Sequence, residues 1–562
     1  MASIFGTVDS GTRKFSTRFR RNFRCGSDIT FGKAYPVYSD FVLPGDTFRF
    51  SSDMLVRLMP LKAPLLNNIN ARIRFAFVPL RLVEENTAFI ITGSKDGKNK
   101  SNFADNVPDF ENIFVSWKNA VTADGATVND NTTFSVVKHS LVEWLFGIVP
   151  GTYKYGNVKD LDSAPATYWL KGYCRFWFDY YRDENIDSYE EFDDLWSDVI
   201  KNLFTFSSYT AVTPFPVYRK KDYFVSSLPW QLKGISPRVT LDGYTFASFP
   251  DLVREGGTGN TFTNISVQKN SVGSGQLNVA ATLSDSELSA ANVNFKLYMQ
   301  RLLNGSTGGF TVENVRDSFA ETRVFERLAR CGSRYTEYLM SNFGTSPSDG
   351  TLQRAQYLGG GKLPIVVSEV LQTAQDTNSS DEKTPVGTMR GHGITRGGNT
   401  LQTCHFKEFG MVFAFVDIMP QTIYTQGVSR RFSYKNRWDF VNPSFQHLSE
   451  QLVRKGEIYF ANDANNDSGF GYTGIYNELR CGDTQFKGNL RDNLSYWSQA
   501  VVFSSRPSLN KAFISLQSTD YLRPFAVTDE SLGLPMILDC LVHNDGYRPL
   551  VREATPGMVD HF

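Results

Sequence analysis

The sequence is poor in the features that usually announce chemistry. Its six cysteines (Cys25, Cys174, Cys331, Cys404, Cys481 and Cys540) are scattered over 562 residues without a Cys-x-x-Cys pair. That spacing excludes the common zinc frameworks and predicts reduced, buried thiols in a cytoplasmic product. The six histidines, His139, His392, His405, His447, His543 and His561, include no His-x-x-x-His pair and no nucleophile motif beside them. No catalytic residue, metal ligand or cofactor is therefore assigned. Gly359-Gly360-Gly361-Lys362 lacks the first glycine of a phosphate loop, and Leu363 stands where Ser or Thr is needed. No apolar run approaches the roughly 20 residues of a membrane span, and the N-terminus lacks a signal-peptide core. Membrane insertion and signal-directed export are not expected. Charge of one sign is missing too: 58 basic residues face 58 acidic ones, so any nucleic-acid binding must be local.

What is abundant is aromatic and turn-forming: 45 Phe, 25 Tyr and 44 Gly. A chain of this length can bury about three quarters of its unfolded surface. With no long helical repeats, the composition favours many short strands joined by long loops, a mainly β protein. Phe48 and Phe50, then Ile73, Phe75 and Phe77, alternate with polar or small residues as half-buried strands do. The apolar run 409–419 reads as a buried strand. Residues 93–133, rich in Asn, Asp, Gly, Lys and Thr, read as surface loops.

Three helices are signalled. Ser140 and Glu143 make a capping box, and so do Ser188 and Glu191, the latter ahead of Phe192, Leu195, Trp196, Val199, Ile200 and Leu203 on one face. Thr311 can cap a third helix whose inward stripe takes Val312, Val315, Phe319, Phe325 and Leu328, with a stop at Cys331-Gly332. After it comes a dense cluster of turn formers, and Gly359-Gly360-Gly361 lets the backbone pass close to a neighbour.

Two stretches carry functional hints. Residues 1–24 form a basic arm, with Arg13, Lys14, Arg18, Arg20, Arg21 and Arg24 against Asp9 and with Phe15, Phe19 and Phe23 at every fourth position. It is open whether this is a solvated tail docked by its phenylalanines or a set of phosphate contacts. Between Gly256 and Ser286 the only charged residues are Lys269 and Asp285, amid Gly, Ser, Thr and Asn, as in a flexible loop or short hairpin insertion.

Ordered blocks along the chain then resemble one family. Leu43-Pro44-Gly45-Asp46, Phe77-Val78-Pro79, Arg219-Lys220-Lys221-Asp222-Tyr223-Phe224, Ser227-Leu228-Pro229-Trp230, Phe343-Gly344, Ser346-Pro347, Leu352-Gln353-Arg354, Tyr357-Leu358-Gly359-Gly360 and the terminal Pro556-Gly557-Met558-Val559-Asp560-His561-Phe562 resemble the major capsid proteins of the Microviridae, nearest the gokushovirus-like group. Ala355-Gln356, Lys221 and Phe409 depart from the family's usual Pro-Glu, His and His.

The resemblance implies an eight-stranded antiparallel viral jelly roll over residues 25–562, with long loop insertions and a few α-helices. It implies a homo-oligomer of sixty copies, a T=1 icosahedral shell around a single-stranded DNA genome, with the arm touching the genome. A variable insertion at about residues 235–305, marked by Gly256, Asn264, Lys269 and Ser286, would project and meet a bacterial host surface receptor. Minor phage proteins (pilot, internal scaffolding) would be partners, and the virion would be assembled in the host cytoplasm. A second reading from another class is a β-sandwich carbohydrate-binding protein or glycosidase, since a carboxylate pair leaves no sequence motif.

Overall fold

A computed structural model describes residues 16–92, 110–234, 251–255, 264–268, 312–331, 334–371, 389–446, 450–482, 484–526 and 533–552. The body is built on eight long strands: β1 (Thr17–Ile29), β2 (Tyr35–Val42), β3 (Thr47–Leu58), β4 (Ile69–Pro79), β5 (Gln356–Ile365), β6 (Met389–Thr400), β7 (Gly410–Pro420) and β8 (Met536–Arg548). One sheet runs β1-β8-β3-β6, extended past β6 by Val367–Leu371, with the short Cys404–His405 also pairing to β3. The other runs β2-β7-β4-β5. All these pairings are antiparallel. Up to β4 successive strands alternate between the sheets, and the last four complete the two orders; 1-8-3-6 over 2-7-4-5 is the order of a jelly roll.

The alternation seen in the sequence is what builds the interior. β3 buries Phe48, Phe50, Ser52, Met54, Val56 and Leu58 and turns the residues between them outward. Phe50 stacks on Phe75 of β4 in the opposite sheet, with centroids 5.3 Å apart. β7 is buried at every position. It lies between β2 and β4, and its second face is covered by a helix: Gly172 of that helix lies where an added Cβ would come 2.9 Å from Met411. A continuous apolar run is what such a doubly covered strand requires. The glycine run 359–361 lies in β5, where a Cβ on Gly360 would sit 2.2 Å from the Ile73 carbonyl oxygen and one on Gly361 2.8 Å from Asn399. The expected close approach is therefore an approach to β4 and β6.

The helices are α1 (Ile113–Ala123), α2 (Leu141–Phe146), α3 (Thr167–Tyr180), α4 (Phe192–Lys201), α5 (Val312–Cys331) and α6 (Tyr335–Phe343), besides several single turns. α1 corrects the reading of 93–133 as surface loop: Asn112 caps it, and Ile113, Phe114, Trp117 and Val121 are buried. α2 begins as expected, with Ser140 accepting from the Glu143 amide. α4 buries Leu195, Val199 and Ile200 as its pattern requires. Its N-cap, however, is Glu191 without a side-chain bond, because Tyr189 is held elsewhere: its carbonyl accepts from Arg182 and its hydroxyl donates to Asp198.

α5 stops at Cys331 as read, but its stripe is covered only in part: Phe325 and Leu328 are half-buried, whereas Phe319 is 65% exposed. α6, ended by a left-handed Gly344, buries none of its residues. Packing divides the chain into a body of Met1–Gln231 with Cys331–Phe562 and a second unit, Leu232–Arg330. The second unit holds a hairpin of Asp251–Glu255 with Asn264–Gln268 and nearly all of α5. Within the body, the hairpin of Gln451–Arg454 with Gly469–Thr473 has a small core of its own around Val453, Ile458, Phe470 and Phe513. Cys174 and Cys540 are buried thiols, as expected, while Cys481 is exposed. Among the described residues no helix is long and apolar enough to cross a membrane.

Candidate functional site

Arg18, Arg20, Arg21 and Arg24 lie on β1, which starts at Thr17, inside the stretch read as an arm. Arg13 and Lys14 lie outside the described residues. Strand geometry splits the four arginines between two faces. Phe23 and Arg21 are on the side that faces β2: Phe23, 45% exposed at the edge of the sandwich, packs edge-on to Tyr38 at 5.7 Å, and the Arg21 guanidinium bonds Asp40 of β2 and lies 5.6 Å from the Phe48 ring. Arg18, Arg20 and Arg24 point outward. Arg18 Nε donates to Asp545 Oδ1 at 2.8 Å, and Arg24 makes a two-pronged bond to Asp539 at 2.8 and 2.7 Å. Arg20, its side chain 73% exposed, sits 3.9 Å from Asp545. Arg21 is thus committed to holding the two sheets together, and Arg18 and Arg24 to fastening β1 onto β8.

The same alternation adds residues that the sequence reading missed. Arg49 and Arg57 of β3 and Arg390 and Arg396 of β6 are exposed and share the outward side with Arg18, Arg20 and Arg24. None of the four makes an ion pair at contact distance among the described residues. The face carries these seven arginines against Asp28, Asp53, Asp539 and Asp545, so it is locally cationic on a neutral chain. Even spacing (Arg49 to Arg57, Arg390 to Arg396) was the available signal. It becomes visible only once the strands are known to be neighbours.

The guanidinium of Arg18 holds the Asp545 carboxyl below the usual carboxylate range by hydrogen bonding, and Arg24 does the same to Asp539. A carboxyl depressed in the folded state stabilises the fold above its unfolded pKa of about 3.9 and loses that contribution as pH falls through the lower folded value. The urea midpoint of the wild type is therefore expected to exceed that of a D539N/D545N variant at pH 6, with the gap closing as pH falls below about 4. A gap constant with pH would count against these pairs.

The carboxylates that come together inside the body have structural partners. Glu457 accepts from the Arg454 amide at 2.9 Å and the Tyr223 hydroxyl at 2.8 Å, and Glu478 from the Tyr434 hydroxyl at 2.7 Å and Gln451 at 2.5 Å. Arg430 stands between them, 3.8 Å from Glu457 and 3.9 Å from Glu478. Burial pushes the Glu457 carboxyl up. These oxygens are occupied in tying the 430–445 segment to its hairpin. Of the residues marking the insertion, Asn264 opens a hairpin strand, whereas Gly256, Lys269 and Ser286 lie outside the described residues.

Comparison with known proteins identifies what the two sheets belong to. The capsid protein (F protein) family matches residues 9–142 and 155–558. Capsid protein VP1 of Chlamydia phage 1 is 27% identical, over 99% of this chain and 98% of the relative. Capsid protein VP1 of Bdellovibrio phage phiMH2K is also 27% identical, over 97% and 96%, and that of Spiroplasma virus 4 is 23% identical, over 94% and 92%. These are structural proteins rather than enzymes, and the glycosidase reading falls with them. The chain belongs to the capsid protein (F protein) family, as a Microviridae capsid protein of the gokushovirus-like kind that its motifs resemble.

Proposed function

We propose that sixty copies of this chain form a T=1 icosahedral shell around a single-stranded DNA genome, assembled in the cytoplasm of a bacterial host. The family match along nearly the whole chain carries this reading, because the capsid role belongs to the entire fold and not to one detachable module. The two-sheet sandwich suits the work: it is a stiff wedge whose inter-strand insertions can cover neighbouring copies. The outward arginine face of β1-β8-β3-β6, together with Arg13 and Lys14, is the surface for genome phosphates, which arginines neutralise without reading bases. Arg20, Arg49, Arg57 and Arg396 are better placed for this than Arg21, which Asp40 already holds. The insertion at about residues 235–305 is the part that meets the host receptor, and pilot and internal scaffolding proteins are the remaining partners.

Negative-stain electron microscopy of the protein expressed alone and with a single-stranded DNA tests the shell. Uniform small icosahedral particles are expected; monomers under both conditions would count against it. Replacing Arg20, Arg49, Arg57 and Arg396 by alanine is expected to lower DNA retention while leaving shells intact. Unchanged retention would remove this face from the account. Unchanged adsorption after deletion of residues 235–305 would remove the insertion from host recognition.

A further inference from the structure

A second surface of the body is unexplained by genome contact. In the segment after β7, Phe432 is 67% exposed, Trp438 60% and Phe440 57%, with Val441 exposed beside them. Large apolar side chains so exposed on a soluble body mark an interaction site. The segment is held in place from behind. Arg430 donates to the Leu452 carbonyl at 2.6 Å, the Tyr434 hydroxyl donates to Glu478 at 2.7 Å, and the Asn442 amide donates to the Tyr476 hydroxyl at 3.3 Å. It is a pre-formed plate, which lowers the ordering cost of association. The plate is also basic: Arg431, Lys435 and Arg437 are exposed, and the one acid among them, Asp439, is used up in capping the amides of Lys435 and Asn436.

On a chain with no net charge, a basic plate has its counterpart elsewhere. At the start of α4, Glu190, Glu191, Asp193 and Asp194 are all exposed and make no ion pair among the described residues. Asp193 and Asp194 favour the helix by sitting in its first turn. That account extends to Glu191 at the N-cap but not to Glu190, which lies before it.

We infer that the 431–441 plate of one copy docks on the acidic start of α4 of the next copy. The contact is head-to-tail, the kind that closes into rings around a symmetry axis. The inference rests on the shell reading above and names one of its contacts. Aromatic and arginine side chains at the centre with charges at the rim is the usual make-up of an energetic protein contact. A strand of nucleic acid fits the plate less well. The Arg437 guanidinium lies 4.2 Å from the Trp438 ring and that of Arg431 4.9 Å from Phe432, so one face of each ring is already covered by an arginine. Val441 offers no stacking surface.

Charge exchange tests this in the full chain. K435E/R437E alone and D193K/D194K alone are each expected to lower particle yield by about tenfold or more, because facing like charges are strongly unfavourable. The four changes together are expected to restore particles, with circular dichroism confirming that every variant folds. Yield unchanged in K435E/R437E would overturn the inference. So would loss in both double variants without recovery in the combination, since the acidic partner would then be wrong. Normal empty particles from K435E/R437E, deficient only in DNA, would assign the plate to nucleic acid instead. If the wild type forms neither particles nor smaller oligomers, the shell reading itself fails and takes this contact with it.

Discussion

Replacing Phe50 with alanine is expected to cost about 3–5 kcal/mol, the range for truncating a fully buried aromatic in a core that cannot collapse around the gap. The side chain is 0% exposed and sits where both sheets meet. It stacks on Phe75 at 5.3 Å and lies edge-on to Phe48 at 5.8 Å and to Tyr38 at 6.1 Å. Phe48 shares β3 with it, but Phe75 and Tyr38 belong to the opposite sheet, so the loss falls on the contact that makes a sandwich from two sheets. The urea midpoint of the body measures it. Phe50→Leu, which keeps most of the volume, is expected to lose less than half as much. Equal losses would mean that ring stacking and not filled volume is what matters at this position.

Asp417→Ala is expected to cost roughly 3 kcal/mol, near the lower end of the range for removing one member of a buried charge pair. Asp417 lies on β7 with its side chain 0% exposed. Its Oδ1 accepts from Arg72 Nε at 2.6 Å, its Oδ2 accepts from the Tyr181 hydroxyl at 3.2 Å, and Arg74 stands 3.8 Å away. Removing the carboxylate leaves two arginines without their anion. Their side chains keep 21% and 26% exposure, and water reaching them holds the cost to the lower end. A paired D417L/R72M change is expected to cost less than D417A alone, because it removes the Arg72 cation together with the carboxylate, leaves only the more exposed Arg74 without its anion, and keeps the volume. If the pair costs more, the ion pair contributes net stability that its desolvation does not cancel.

How far the sequence is legible follows from the range of the interaction concerned. The alternation in β3 and β4 and the apolar run of β7 are local patterns, and each appears where it was read. The helix α2 was legible because a capping box is local as well. The eight-stranded jelly roll was supplied by family resemblance, and the pairing 1-8-3-6 over 2-7-4-5 was announced by no local pattern. β1 joins β8 across more than 500 residues, and nothing near Arg18 or Arg24 announces Asp545 or Asp539. That is why β1 read as part of a basic arm, docked by its phenylalanines or touching phosphates: seen locally, its arginines have no anions. Arg18, Arg20 and Arg24, separated by even numbers of residues with Asn22 between the last two, were nonetheless a strand signal, competing with the four-residue spacing of the phenylalanines.

Three helices, α1, α3 and α6, were missed; α6 lies in the stretch read as turn formers, and the other two were hidden by composition. α1 lies in a segment whose polar composition outweighed Ile113, Phe114, Trp117 and Val121. In α3 the buried set Leu170, Tyr173, Cys174, Phe176 and Trp177 is hidden among so many aromatics that no single face stands out. The α5 stripe failed in the opposite direction. Its period was right, yet Phe319 is exposed, because an amphipathic pattern says that a face wants cover and not that this chain supplies it. The plate at 431–441 was illegible in the same way: exposure of Trp438 and Phe440 is a property of the folded surface.

The mass of the assembled particle tests the central claim most directly. A T=1 shell of sixty 63.3 kDa chains predicts empty particles of about 3.8 MDa by charge-detection mass spectrometry, with a heavier population when single-stranded DNA is supplied. A well-defined particle of a different copy number, or polymers with no defined mass, would contradict it.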